Sequence, residues 1–289
     1  MKYLKLILIF ILFLTGSLLG GNSEEIEYFK PQNIRRFADY LFDEKQYIRA
    51  AGEYQRFLFA TDSFPGNADS IFFRIALCYR LNENYKSSIN YFQKIAVEYE
   101  QSGLMEESYL ETAVCYSLMD NYGESNKVLE INFLRESEKS INTRVKKLIT
   151  LNYIQLKEWD RATEILDDID FESSDLFDFV EKGQNLPRKN RFVSGMFSAV
   201  IPGSGKYYCD RPMDGLHSFV TTGITTWQAY EGFKADGIHS VKGWIFGVLG
   251  GLFYLGNIYG SVVAADIYNE EQEIMFKLSV KKYLDETFK

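Results

Sequence analysis

Two histidines, one acid in an apolar segment and one glycine-rich loop are the residues of this 289-residue chain whose chemistry has to be weighed first. His217 lies at the start of residues 216–233, which also hold Gln228 and Glu231, and His239 lies just beyond their end. A metal would need further ligands, and no Cys or carboxylate set near these histidines completes a four-ligand geometry. Both read as ordinary histidines at a water–lipid boundary. The loop Pro202-Gly203-Ser204-Gly205-Lys206 lacks the G-x-x-x-x-G-K-[ST] spacing of a phosphate loop and opens an apolar segment, so no nucleotide site is read there. Three cysteines, an odd number, exclude a disulfide framework. Cys78 and Cys115 fall at equivalent places in neighbouring repeats and read as free, buried small hydrophobes. No catalytic residue, metal ligand or cofactor follows from these groups. An ionisable residue inside a membrane segment is nonetheless a functional candidate. A membrane enzyme or transporter component centred on Glu231, His217 and Tyr208 therefore stands as the alternative reading.

The elements that must position these residues are helices. Residues 71–95, IFFRIALCYRLNENYKSSINYFQKI, read as two helices joined by a short polar turn. The phrase returns around Tyr47, Tyr122 and Trp159, and along Tyr47, Tyr85, Tyr122 and Trp159 the steps are 38, 37 and 37 residues. Such a period belongs to helix pairs that stack on their neighbours. Small residues such as Ala76 and Ala113 let helices cross closely, while a planar ring fills the space beside them. A formal charge of −8 argues against a nucleic-acid partner, because a phosphate backbone needs a basic face.

This pattern resembles the tetratricopeptide repeat over residues 31–170, in about four copies. Repeat two carries Ala76, Tyr79, Tyr85 and Phe92; repeat three Ala113, Tyr116 and Tyr122; repeat four Tyr153, Trp159, Ala162 and Leu166. The family's glycine is absent, with Glu83, Asp120 and Lys157 near its place. The resemblance implies an α-solenoid whose first helices line a concave groove for a protein or peptide partner. Carried over, the groove residues are Arg35 and Asp39, then Phe73, Leu77 and Arg80, then Leu110 and Val114, and finally Arg144, Lys147 and Ile154.

Flanking segments place this array. Residues 1–21 have Lys2 and Lys5, an apolar run and a small-residue stretch, the layout of a secretory signal peptide. Residues 171–191 form a linker that begins acidic and ends in Arg188, Lys189 and Arg191; a basic cluster before an apolar region suits anionic headgroups, and an ordinary solvated linker is the plainer reading. In residues 192–268, the 23 uncharged residues 243–265 suffice to cross a bilayer, while 216–233 is a weaker span. Gly243, Gly247 and Gly251, then Gly256 and Gly260 with Ala264, stand four apart and suit close helix packing, with Ser218, Thr222 and Thr225 able to face them. Pro202, Gly203, Gly205 and Tyr208 form the turn that leads in, and with residues 256–269 they resemble a two-helix bacterial membrane domain of the P-G-x-G-x-x-Y type. A helical tail, 269–289, ends the chain.

The expected fold class is thus all-α: a tetratricopeptide-like solenoid followed by a glycine-rich transmembrane hairpin. The expected function is a non-enzymatic scaffold of the bacterial envelope, with exported repeats, periplasmic in a Gram-negative cell, an anchor in the inner membrane lipid, and no nucleic-acid partner.

Overall fold

Four times the backbone makes the same left-handed step between helices. Lys45, Glu83, Asp120 and Lys157 have φ of 58°, 60°, 62° and 62°, and each stands two residues before Tyr47, Tyr85, Tyr122 or Trp159. The residue after each step reaches back five positions: Gln46 N donates to the Leu41 carbonyl at 2.8 Å, Asn84 N to Tyr79 at 2.8 Å, Asn121 N to Tyr116 at 2.9 Å and Glu158 N to Tyr153 at 2.9 Å. A left-handed residue just past a helix end lets such bonds satisfy otherwise orphaned carbonyls. The next helix then opens on the aromatic itself.

The computed structural model describes residues 29–61, 68–133, 139–167 and 174–288. The apolar run expected to be a signal peptide, 1–21, lies outside the described residues. Among the described residues every regular element is a helix. Contacts divide the chain into two units, residues 1–152 with 287–289, and residues 153–286.

The first unit contains α1 (Pro31–Asp43), α2 (Tyr47–Ala60), α3 (Ala68–Leu81), α4 (Tyr85–Glu98), α5 (Met105–Leu118), α6 (Tyr122–Phe133) and most of α7 (Lys139–Leu156). From α1 to α6, each helix packs on the next in sequence. Ala38, Ala50, Ala76 and Ala113 have no exposed surface, so the small residues do sit where backbones approach. At the equivalent place in α4, Ser88 is also fully buried, and its hydroxyl donates to the Ala76 carbonyl at 2.9 Å. A hydroxyl can replace a methyl there because its hydrogen bond is made. Further along, Ser117, Ser125, Asn126 and Asn152 form a buried network: Ser117 Oγ reaches Asn152 Oδ1 at 2.6 Å, and Asn152 Nδ2 donates to Ser125 Oγ at 2.9 Å and Asn126 Oδ1 at 2.7 Å.

The second unit continues with α8 (Trp159–Asp167), α9 (Ser174–Gln184), α10 (Arg191–Val200), α11 (Ser204–Tyr208), α12 (Pro212–Asp236), a 3₁₀ turn (Gly237–His239) and α13 (Val241–Thr287). Residues 153–170, expected to close the repeat array, belong here, and the contacts divide before the acidic stretch. The reason lies in their partners. Trp159 packs edge-on against Phe276, Gln155 Nε2 donates to the Lys277 carbonyl at 3.0 Å, and Lys157 pairs with Glu273 at 2.8 Å. A Cβ on Gly183 would lie 2.4 Å from the Trp159 ring, so glycine is required where α9 meets that indole. The expected break near residue 269 is also absent, because α13 is one helix of 47 residues with no Gly or Pro after Gly260 to interrupt it.

Non-glycine residues at positive φ are strained in a way that glycine is not. Glu83 is exposed and its side chain is replaceable. Glu83→Gly is therefore expected to raise the unfolding free energy by about 0.5–1 kcal/mol, and Glu83→Val to lower it. Denaturant titration checks both signs; a less stable glycine variant would remove the strain argument.

Candidate functional site: a buried charge pair and a polar helix seam

In the first unit the residues expected to line a groove divide into three groups. Leu110 and Val114 have no exposed surface and belong to the core. Both lie on α5, which buries Ser108, Glu111, Thr112 and Cys115 as well and so has no free face. Ile154, now part of the second unit, is likewise fully buried. Phe73 and Leu77 are half-buried, with the Phe73 ring edge-on to Phe92. Arg35 and Lys147 are half-buried, Asp39 accepts from the Tyr54 hydroxyl at 2.6 Å, and Arg144 Nη1 holds both Glu107 oxygens at 2.8 and 2.9 Å.

Arg80 is the exception in kind, being a buried cation where an exposed one was expected. Its side chain and that of Glu111 are each 6% exposed, with Arg80 Nε 2.9 Å from Glu111 Oε2. The contact is electrostatic and off-line, since neither atom has a directed hydrogen bond. Arg80 Nη1 instead donates to the carbonyl of Phe288 at 2.8 Å, and Phe288 is itself buried. Burial pushes the Glu111 carboxyl up to about 7, with Arg80 pulling it down and Glu107 pushing it further up. Glu111 was not foreseen. Its signal was an acid among Leu110, Thr112, Ala113 and Val114, a stretch with no exposed face to receive it.

In the second unit the usual order of polarity is reversed. On α12 the buried residues are Gly215, Ser218, Thr222, Thr225, Ala229 and Gly232, whereas Leu216, Phe219, Ile224 and Trp227 are exposed. On α13 Gly243, Gly250, Asn257, Ser261 and Ala264 are buried, while Ile245, Val248, Leu252 and Leu255 are exposed. The buried set on α12 and Gly243, Gly250, Asn257 and Ala264 on α13 follow a seven-residue spacing. A seven-residue step drifts only about 20° round a helix, whereas a four-residue step drifts about 40°. The glycine rows expected at four-residue steps therefore leave the contact face. Gly243 stays in it, tight against the Phe233 ring, and Gly247 touches that ring at ordinary distance. Gly251 and Gly256 have nothing within 4 Å, and Gly260 faces Lys206. Gly250, overlooked in the four-step rows, meets Thr225 instead, so one of the hydroxyl residues expected to face the second helix does so.

The seam ends in a hydrogen-bonded knot around the Pro202-Gly203-Ser204-Gly205 turn. Gly203 has φ of 90°, and a Cβ there would strike the Gly215 carbonyl at 2.0 Å; one on Gly205 would strike that of Ser194 at 1.9 Å. The knot is well supplied with partners. Gly203 N donates to Asn257 Oδ1 at 3.1 Å, Gly205 N to Ser198 Oγ at 2.9 Å, and Ser194 Oγ to the Ser261 carbonyl at 2.6 Å. Asp210, with φ of 59°, closes α11 by the same five-residue return, Arg211 N to the Lys206 carbonyl at 3.0 Å. Tyr208 accepts from Asn190 N at 3.3 Å, and Lys206 Nζ donates to Ser218 Oγ at 2.8 Å.

The basic residues just before and at the start of α10 are compensated. Arg188 pairs with Glu273 at 2.9 Å, Arg191 with Asp266, and Lys189 with Asp210 at 3.6 Å, its ammonium also lying over the Tyr208 and Tyr268 rings. Glu273 is held below the usual carboxylate range, first by its bond from Lys157. His217 and Glu231 lie fourteen residues apart on one helix, about 21 Å along its axis, so with Tyr208 they do not form one centre. No group of three metal-ligating side chains occurs among the described residues. All three cysteines are buried and free, and burial pushes Cys78 and Cys115 up to about 12.

Among the described residues only α13 is long and apolar enough to cross a membrane, and little more than a quarter of its most apolar stretch is buried by protein. α12 has 25 residues, but its Gly, Ser and Thr positions keep it below that composition. No family model, curated protein or solved structure matches the chain.

Gly205→Ala is expected to lose at least about 2 kcal/mol of stability in detergent, since the clash is with backbone, while Gly256→Ala gains up to about 1 kcal/mol in an exposed helix position. Thermal denaturation of the two variants distinguishes a packed seam from a general intolerance of alanine.

Glu111 also makes a sign-definite pH prediction. Its folded value lies above the ordinary carboxyl value, so its contribution is fully present below about 4.5 and is lost as pH rises through about 7. The stability difference between wild type and Glu111→Gln should shift against wild type between pH 5 and pH 8, by at most ~3 kcal/mol. A difference independent of pH would mean that the carboxyl is ionised throughout.

Proposed function

We propose that this protein is a non-enzymatic scaffold of the bacterial cell envelope, in which tetratricopeptide-like helix pairs take up a protein or peptide partner and a helical hairpin anchors them in the membrane. The observation that carries the anchor is the reversed polarity of α12 and α13. Water would favour the opposite arrangement, because a soluble fold gains its stability by burying the leucines and phenylalanines exposed here. In lipid those side chains are already solvated, and helices associate through small residues and hydrogen-bonding hydroxyls. The second span, α12, is supported by its seam on α13 rather than by its own hydropathy.

The recurring turn and the nearest-neighbour packing of α1 to α6 support the repeat reading. An array of this kind presents a continuous surface assembled from successive pairs, a form suited to extended partners. The half-buried residues Arg35, Phe73, Leu77 and Lys147 remain for a role there, with Arg144 held on Glu107. Under the proposal the export signal is residues 1–21, the repeats face outward, and the turn at 237–239 faces the cytoplasm.

The test is thiol labelling in intact spheroplasts with a membrane-impermeant reagent. The native thiols are buried, so background is low. Ser240 is a poor probe site, being buried and accepting from Gly243 N at 3.0 Å, whereas His239 and Thr287 are exposed. A cysteine at Thr287 is expected to label and one at His239 to be protected until the membrane is opened. Labelling of both sites from outside, with release of the chain by alkaline carbonate, would overturn the anchored hairpin.

A further inference from the structure

The pair Arg80 and Glu111 is costly to keep. Both groups are stripped of water, and a buried ion pair is commonly no more stabilising than apolar residues of the same size. Core packing alone would favour an aliphatic pair at the junction of α3 and α5. What the pair offers is directional hydrogen bonding, and one such bond is in use: Arg80 Nη1 to the Phe288 main-chain carbonyl, 2.8 Å. Phe288 is 4% exposed, so its side chain is seated as well as its backbone. Arg80 Nε and Glu111 Oε2 are spent on each other, 2.9 Å apart. The site thus has an occupant and a cation aimed at its peptide carbonyl.

We propose that Arg80 and Glu111 form a peptide-binding site in the first unit, selective for a segment that offers an aromatic side chain and a main-chain carbonyl, and that the chain's own Thr287–Phe288 segment fills it in cis. Carbonyl recognition by a guanidinium is independent of sequence, and selectivity comes from the seated ring, the division of labour usual in peptide grooves. A partner segment would have to displace the resident one, so occupancy in cis sets a threshold for binding in trans. This deepens the peptide-binding reading of the repeats and rests on it.

The probe is a fluorescent peptide of residues 278–289, titrated by anisotropy against the full chain in detergent and against the chain lacking residues 287–289. At least tenfold tighter binding to the shortened chain is expected, falling at least tenfold with Arg80→Met in that background or with Phe288→Ala in the peptide. Equal binding by intact and shortened chains, indifference to Arg80, or no binding by a shortened chain that melts normally would each overturn the proposal. If removal of 287–289 unfolds the unit, Phe288→Ala in the full chain empties the same seat with the backbone kept. Peptide binding by that folded variant supports the site; absence of binding, or unfolding of this variant too, makes the segment ordinary core and overturns it. Retention of a protein partner by the repeats despite a failed peptide titration would remove this site and leave the scaffold reading standing.

Discussion

A non-glycine residue held in the left-handed region, followed at once by a backbone bond reaching five residues back, is the constraint on which both units depend. It ends one helix and aims the next within two residues, leaving the chain no freedom to choose another crossing. In the first unit it recurs before α2, α4 and α6, and it is the reason sequence neighbours become spatial neighbours. In the second it appears before α8 and again at Asp210, where it turns α11 into α12. The residues that occupy it, lysine, glutamate and aspartate, are short of the freedom of glycine but keep the turn soluble. The strain, of order 1 kcal/mol at each site, is outweighed by the burial that correct pairing secures.

Where the turns set direction, the seam sets distance. Gly232 and Gly243 approach so closely that a Cβ on the first would lie 2.5 Å from the second's backbone nitrogen. Such contact requires small residues where the backbones approach, and it turns most of the large side chains outward, with the Phe233 ring against Gly243 the exception. The same economy explains the knot at the Pro202-Gly203 turn, whose buried backbone amides at Gly203 and Gly205 are met by Asn257 and Ser198. Buried polar groups in the second unit are therefore a consequence of close packing, with the Thr222 hydroxyl the one side-chain group there without a partner among the described residues.

Much of the helical plan was legible in the sequence because its signals are local. Tyr47, Tyr85, Tyr122 and Trp159 open their helices, and the acids and lysine noted in the place of a glycine occupy the left-handed step. The faces were less legible, since rotation of a helix about its axis depends on what it meets. Leu110 and Val114 became core because α5 is covered on all sides, and Arg80 turned inward because Glu111 waits there. Of the glycine rows only Gly243 and Gly247 meet α12, for the same reason: spacing in one helix cannot reveal whether its partner follows four-residue or seven-residue steps. The association of 153–170 with the second unit depended on Phe276 and Glu273, more than a hundred residues away, and no local pattern announces such a partner.

The three cysteines illustrate what deep packing does to reactivity. Nucleophilic attack and metal capture need the thiolate, and at Cys78 and Cys115 desolvation removes it across any physiological pH. Cys115 spends its sulfhydryl on Ser88 at 3.5 Å, and Cys209 lies 3.3 Å from the Ser194 hydroxyl inside the knot. An oxidising surrounding finds no thiol to act on while the fold is closed. Thiol chemistry in this protein would consequently report unfolding, and a cysteine that becomes reactive marks a molecule that has lost its packing.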